Sequence, residues 1–461
     1  MTDPIVYLVI LAGLFLLGAV GEISFRKTQI PDVVWLIGAG VVLRVSGFVD
    51  PQQLEPILPL FAALTLIIVL FDGGSQLVIN QLVKAAPRAS VMAVLGFIST
   101  TLVIAAITML AAWSGLLHNW TFLKGLMVGA MLGGSSSLVI MPSMQVAKVE
   151  EKVSNLVGLE SALTDSLCIV LAVSLIDIIM SGHASAADSA IVLAKNFGLA
   201  LLIGAAAGWA WMPVLRLLRG STHAYPVTIA ALILLYVAVE SFGGSPAMAI
   251  LTFAVIVGNA DALMKKLGFS AGQHPLQLDD SVRIVHSQMS FIIKSFFFTY
   301  IGLMLGPPWS LLILGVVIGI GLLAARIPVV MALTGGGEFT TRQRKLITVS
   351  LPRGMAAGVL ATIPTMRGME GMENLPPLVF SAVVTSIFIF AGGFKKVRGE
   401  PVPAPESTHT SEEDLSASPP QNPPVATEPT EPVHPPSPDA PTPQDTPTPS
   451  VEPTPSASPP T

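Results

Sequence analysis

The chain has 461 residues, 52% of them hydrophobic and only 11% charged, with a mean hydropathy of +0.72. Soluble domains carry about 25% charged residues, so this composition excludes an ordinary water-soluble globule and points to a polytopic, all-α membrane protein. Formal net charge is −5, and the lone cysteine, Cys168, excludes a disulfide framework and any multi-cysteine metal site.

Thirteen apolar runs, each about long enough to cross a bilayer, are predicted near residues 4–20, 31–47, 55–71, 88–113, 121–145, 153–180, 190–218, 224–242, 245–262, 286–306, 308–334, 344–364 and 376–394. No small-residue cleavage site follows the first, which therefore reads as an uncleaved helix rather than a signal peptide. The third ends with Leu70-Phe71-Asp72-Gly73-Gly74. Asp72 is either a solvated helix-end carboxylate or one that approaches an internal cavity.

The fifth run is interrupted by Gly133-Gly134-Ser135-Ser136-Ser137 and the twelfth by Leu351-Pro352-Arg353-Gly354. Glycine and proline at these places are expected to break each helix near mid-membrane and free backbone groups there. Paired breaks in corresponding positions of two halves point to a transporter's binding site; the alternative is two ordinary kinks, since glycine and proline are common in membrane helices. An offset of seven runs is odd, which makes the two repeats inverted. Ser135 and Ser136 either add oxygen ligands at the break or serve helix packing as small residues. Arg353 either repels competing cations or satisfies carbonyls at the helix break.

The sixth run, VSNLVGLESALTDSLCIVLAVSLIDIIM, carries Glu160 and Asp165 deep inside apolar sequence. A carboxylate at mid-membrane costs about 2.5–3.5 kcal/mol on insertion scales, and sequences bear that when the group handles ions or protons. Ser161 and Asp165 are four apart and share one helix face, whereas Glu160 and Thr164 lie on a face turned by about 100°. Oxygen ligands of this kind suit hard monovalent cations. Arg326, deep in the eleventh run, wants a buried carboxylate, and Glu160 is the acid left over; a Glu160–Arg326 ion pair is expected. Lys294, near the start of the tenth run, is expected to snorkel to the cytoplasm.

Seventeen Lys and Arg fall in one set of loops and four in the other. By the positive-inside rule this puts the N-terminus outside and the C-terminus in the cytoplasm of a cell-membrane protein. From residue 399 to 461 there are ten acidic residues, no Lys or Arg, and 20 of the 38 prolines. The expected division is a transmembrane domain over 1–398, carrying a net +5, and a disordered tail over 399–461. The chain shows no phosphate loop, metal-binding His spacing or nucleophile elbow. No enzyme chemistry and no cofactor are expected, and an ion gradient is the expected driving force.

The run Gly158-Leu159-Glu160-Ser161-Ala162-Leu163-Thr164-Asp165 resembles the "ES-x-x-ND" signature of monovalent cation/proton antiporters of the sodium/proton exchanger type. IPDVVWLIGAGVVL, LIIVLFDGG, LLYVAVESFGGSPAMAILTFAVIVGN, KSFFFTYIGLMLG and LPRGMAAGVLA agree in order, so the resemblance covers residues 5–395. It implies the inverted-repeat antiporter fold, a homodimer with a mobile core, and Asp165 as the ion- and proton-binding carboxylate. Ser161 is implied as its neighbouring ligand, Ser135 stands where the family has threonine, and Asp72 where it often has glutamate. Glu160 and Arg326 match the structural pair of the electroneutral branch. Thr164 replaces the usual asparagine and is expected with Asp165, Ser161, Asp72 and Ser135 in the ion-binding set, while Ser135-Ser136-Ser137 replaces "TDP", so one usual carboxylate is missing. The expected activity is exchange of Na⁺, with K⁺ or Li⁺ as alternatives, for H⁺, one for one, in the lipid bilayer and with no nucleic-acid partner. Two other readings stand beside it: a sodium-coupled organic-anion symporter, and a non-transporting membrane sensor acting through its tail.

Overall fold

The computed structural model describes residues 4–28, 30–47, 54, 58–76, 87–181, 186–218, 221, 223–260, 263 and 280–398. The proline-rich tail, and Lys84, Arg219, Lys265 and Lys266 of the charge asymmetry, lie outside the described residues.

The described residues form fifteen α-helices and no strand. In chain order the first eight are α1 (Pro4–Thr28), α2 (Asp32–Ser46), α3 (Leu58–Gln76), α4 (Pro87–Trp113), α5 (Phe122–Met131), α6 (Ser137–Val146), α7 (Glu151–Ser181) and α8 (Ala186–Leu217). The rest are α9 (Ala224–Ser241), α10 (Pro246–Gly258), α11 (Asp280–Met304), α12 (Trp309–Thr334), α13 (Thr341–Val349), α14 (Met355–Met366) and α15 (Leu375–Arg398). Seven of them, α3, α4, α7, α8, α9, α12 and α15, are long and apolar enough to cross a membrane alone. Every apolar run holds one helix except the fifth and the twelfth, which each hold two shorter ones.

Helix α4 shows why these helices need lipid. Its Met92, Phe97 and Ile104 are buried in the protein, yet Leu95, Ile98, Leu102 and Leu110 on other faces are exposed and equally apolar. A helix that is apolar all round has no face for water. With seven such helices, the chain is a multi-pass membrane protein.

Both helix interruptions have local causes. Helix α5 starts at Thr121, whose hydroxyl accepts a hydrogen bond from the Lys124 amide at 3.2 Å, and stops at the Gly133-Gly134 pair. Gly134 lies against α7, where a methyl group would sit 2.9 Å from the Thr164 carbonyl oxygen. Helix α13 opens with a reciprocal cap between Thr340 and Gln343. It ends before Pro352, because a proline disfavours helical backbone in the residue ahead of it.

Helices α2 and α11 run parallel along a close seam. At Gly40 and Gly302 the two backbones approach so nearly that a methyl group on either would overlap the other helix's main chain. Further along, Arg44 donates from Nη1 to the Leu303 carbonyl at 2.7 Å. At the start of the seam the Lys294 ammonium sits 2.5 Å from Asp32 Oδ2. The expectation that Lys294 snorkels to solvent is therefore corrected. Its acid is the first residue of α2, 262 positions away in sequence, and an ion pair in a half-buried site holds the ammonium better than reaching out would.

Beyond the end of α12, Glu338 pairs with Arg88 at the start of α4 and accepts, through its main-chain carbonyl, a 3.0 Å bond from Lys152 at the start of α7. The Lys152 ammonium also stands 4.4 Å from the Phe339 ring centroid. This contact ties the α12–α13 loop to two neighbouring helix starts.

Candidate functional site

The non-helical stretches 132–136 and 350–354 meet in the interior. The Ser136 amide donates to the Pro352 carbonyl at 2.8 Å, joining the two breaks through main-chain atoms. Arg353, buried, donates from Nη1 to the Gly133 carbonyl at 3.1 Å, and its amide donates to Ser386 Oγ on α15 at 2.9 Å. Its Nε has no hydrogen-bond partner among the described residues. One guanidinium thus covers a carbonyl that the α5 break leaves outside any helix, as interrupted membrane helices require.

Helix α7 supplies the facing wall. Ser161 donates to the Ser135 carbonyl at 2.8 Å and its Oγ lies 2.9 Å from Ser135 Oγ. The Ser135 amide donates to Thr164 Oγ1 at 3.2 Å, and Thr164 donates back to the Ser161 carbonyl at 3.1 Å. These three buried hydroxyl residues form one network that fastens the α5–α6 break to α7. Cys168, one turn on, donates from Sγ to the Met131 carbonyl at 3.0 Å.

Asp165 faces the other way. It lines a small cavity of about 20 Å³ together with Asp72, Gly73, Ser137, Ala162, Ser290 and Met355. That is room for one water-sized occupant. Asp165 lies in the fields of the Asp72 carboxylate and the Arg353 guanidinium. Of the two alternatives for Asp72, the structure has the one that approaches the cavity. Asp72, Ser137, Leu138 and Ser290 also line a wider vestibule of about 590 Å³, shared with Glu22, Asp32, Gln145, Gln288 and Lys294. The small cavity is the inner end of that vestibule.

So of the hydroxyls predicted beside Asp165, none among Ser135, Ser161 and Thr164 lines its cavity; they bind one another. The hydroxyls that do line it, Ser137 and Ser290, were not singled out in the sequence. Ser137 closes the same serine run that marks the break, which was a usable signal. Ser290 lies near the middle of α11, where nothing local distinguishes it.

Arg326 lies behind this wall and holds Glu160 in a two-pronged contact, Nη1 to Oε1 at 2.6 Å and Nη2 to Oε2 at 2.7 Å. Its Nε donates to the Ile347 carbonyl at 3.0 Å. Both residues are buried, at 6% and 1% exposure. The pair links α12 to α7 and touches neither cavity. No group of three or more His, Cys, Asp or Glu side chains suited to a metal ion occurs among the described residues.

Known proteins resemble this chain in sequence and fold. The family model described as "Sodium/hydrogen exchanger, transmembrane" matches residues 11–396. A K(+)/H(+) antiporter NhaP2 of Shewanella sp. (strain MR-4) is 27% identical over 361 residues, 76% of this chain and 59% of that protein. A probable Na(+)/H(+) antiporter 2 of Methanocaldococcus jannaschii is 21% identical over 399 residues, 82% of this chain and 89% of that protein. This chain thus spans 59% of the length of the NhaP2 relative. Among solved structures, the sodium proton antiporter MjNhaP1 from Methanocaldococcus jannaschii at pH 8 superposes with a TM-score of 0.65 at 17% identity, covering 84% of this chain and 99% of that one. The two therefore share a fold. Because the family model accounts for nearly all of the helical region, the chain belongs to the transmembrane sodium/hydrogen exchanger family, within the monovalent cation/proton antiporter superfamily.

Proposed function

We propose that this protein exchanges a monovalent cation for H⁺ by alternating access, with Asp165 binding one or the other and never both. The observation that carries this reading is the shared cavity: Asp165 and Asp72 line a space of about 20 Å³ at the inner end of a wide vestibule. Such a space suits a cation stripped of its hydration shell, or a proton on the carboxylate, and is far too small for an organic anion. Relatives named for K⁺/H⁺ and for Na⁺/H⁺ exchange fit the same chemistry. Na⁺ is our first choice of cargo, with K⁺ and Li⁺ next.

Ser137 and Ser290 join Asp72 and Asp165 as oxygens around the cargo, while Ser135, Ser161 and Thr164 hold the wall that carries Asp165. Glu160 and Arg326 act as a structural ion pair. A single carboxylate at positions 164 and 165 supports one-for-one, electroneutral exchange. The topology we assign has thirteen crossings, two of them broken at Gly133-Gly134 and at Pro352-Arg353. The N-terminus is outside, the vestibule opens to the cytoplasm, and residues 399–461 form a cytoplasmic tail after a transmembrane domain of residues 1–398. A homodimer in the cell membrane completes the assignment.

The test is proton flux into proteoliposomes with a trapped pH dye, an imposed pH gradient and added Na⁺, Li⁺ or K⁺. Wild type should dissipate the gradient in a cation-dependent way, and Asp165→Asn should not. Equal flux in both, or no response to any of the three cations from folded, inserted protein, would reject the reading.

A further inference from the structure

We propose that Lys294 is a tethered counter-ion, held by Asp32 in the vestibule wall, that sets how strongly the vestibule draws its cation. The proposal rests on the antiport reading only for the nature of the cargo. Among the described residues lining the vestibule are three carboxylates, Glu22, Asp32 and Asp72, and one ammonium, Lys294. A cavity that concentrates a cation gains nothing from a fixed positive charge unless that charge limits the attraction.

The geometry keeps the ammonium where it can act. Asp32 Oδ2 lies 2.5 Å from Lys294 Nζ, while Oδ1 accepts the Val33 amide at 3.0 Å. The carboxylate is thus fixed at the first turn of α2, where the helix dipole also favours an anion. The two side chains are only 20% and 16% exposed, so water screens them less than it screens a surface pair. Four residues before Lys294, on the same face of α11, stands Ser290, which lines the vestibule and the Asp165 cavity alike. The ammonium is therefore about one helical turn from the mouth of the inner cavity.

A role as a fastener explains less. The α2–α11 seam is already closed by the Gly40–Gly302 approach and by the Arg44 bond to the Leu303 carbonyl. What Lys294 adds is a positive charge that offsets one of the three carboxylates on the cavity side. One unit charge roughly 10 Å from the cation, at an effective dielectric between about 20 and 80, changes affinity by about 2- to 15-fold.

The experiment uses the full-length protein, with Na⁺, K⁺ and Li⁺ as probes. Cation affinity is read as thermal stabilisation against concentration in detergent, and exchange is measured in proteoliposomes. K294Q should raise apparent affinity by about 2- to 15-fold, D32N should lower it by a similar factor, and the charge-balanced D32N/K294Q double should return near wild type. K294M, which keeps the apolar stem, replaces K294Q if the latter fails to fold. Affinity unmoved in the single variants, single variants that shift it the same way, or a double that stays displaced would overturn the proposal in favour of a structural lock. Because binding is read without transport, absence of exchange in wild type would reject antiport while the binding order still decides the part played by Lys294.

Discussion

Arg326→Met would leave the Glu160 carboxylate buried with both of its charge-assisted bonds gone, and would also strip the Ile347 carbonyl of its donor. Each hydrogen bond to a charged group is worth about 1.5–3 kcal/mol. Removing one member of a buried pair typically costs about 3–5 kcal/mol, and two lost bonds reach the same range. At about 1.4 kcal/mol per decade, the folding equilibrium should fall by roughly two to three and a half orders of magnitude. The lone cysteine supplies the assay, since Cys168 is only 1% exposed and a thiol-reactive dye labels it only when the core opens. Glu160→Leu should cost a similar amount, because it strands the guanidinium instead. The Glu160→Leu/Arg326→Met double should recover most of the loss, giving a coupling of about 3 kcal/mol. A double variant as unstable as the sum of the two singles would refute the account, for it would mean that neither charge depends on the other.

Asp72→Asn removes one of the two carboxylates around the inner cavity, and should weaken cation affinity by about tenfold or more while folding is kept, measured by exchange against cation concentration. Gly134→Ala forces a methyl group to 2.9 Å from the Thr164 carbonyl oxygen, a main-chain atom that cannot step aside. A loss of about 1–3 kcal/mol is expected, and wild-type thermal stability in this variant would contradict the close crossing. Glu338, outside the membrane-crossing helices, has its carboxyl held below the ordinary carboxylate value of 4.5 by the bond and charge of Arg88. A depressed carboxyl contributes stability above its unfolded value and loses it as pH falls through the folded one. Wild type should therefore melt above Glu338→Gln near neutral pH, and the difference should close well below pH 4.5; a gap that widens with acid would reverse the assignment.

The helix interruptions were legible because Gly133-Gly134 and Pro352 act locally, through backbone freedom and a missing amide, and local causes can be read in one dimension. Matching Glu160 to Arg326 needed only that each is a charge deep in an apolar run. Lys294 was misread for the opposite reason. Its place early in the tenth apolar run is a local fact, but α11 reaches back to Asp280, and its partner Asp32 is 262 residues away and lies alongside only because Gly40 and Gly302 let α2 and α11 close up. The direction of the hydroxyls was beyond reach as well. Ser161 shares a helix face with Asp165 by spacing, yet the α5–α6 break approaches closely enough to take its hydrogen bond, and it is Ser290, from another helix, that lines the Asp165 cavity. Which oxygens meet in a cavity depends on how helices cross, and single-helix periodicity carries no record of that.

The bond from the Ser136 amide to the Pro352 carbonyl is made by main chain on both sides. The Arg353 guanidinium adds a second tie, to the Gly133 carbonyl, and neither bond uses a serine hydroxyl, so the junction itself does not depend on the serine side chains there. The scaffold and its chemistry are thereby separable. The residues around the cavity can vary one at a time while the main-chain junction beside them is kept.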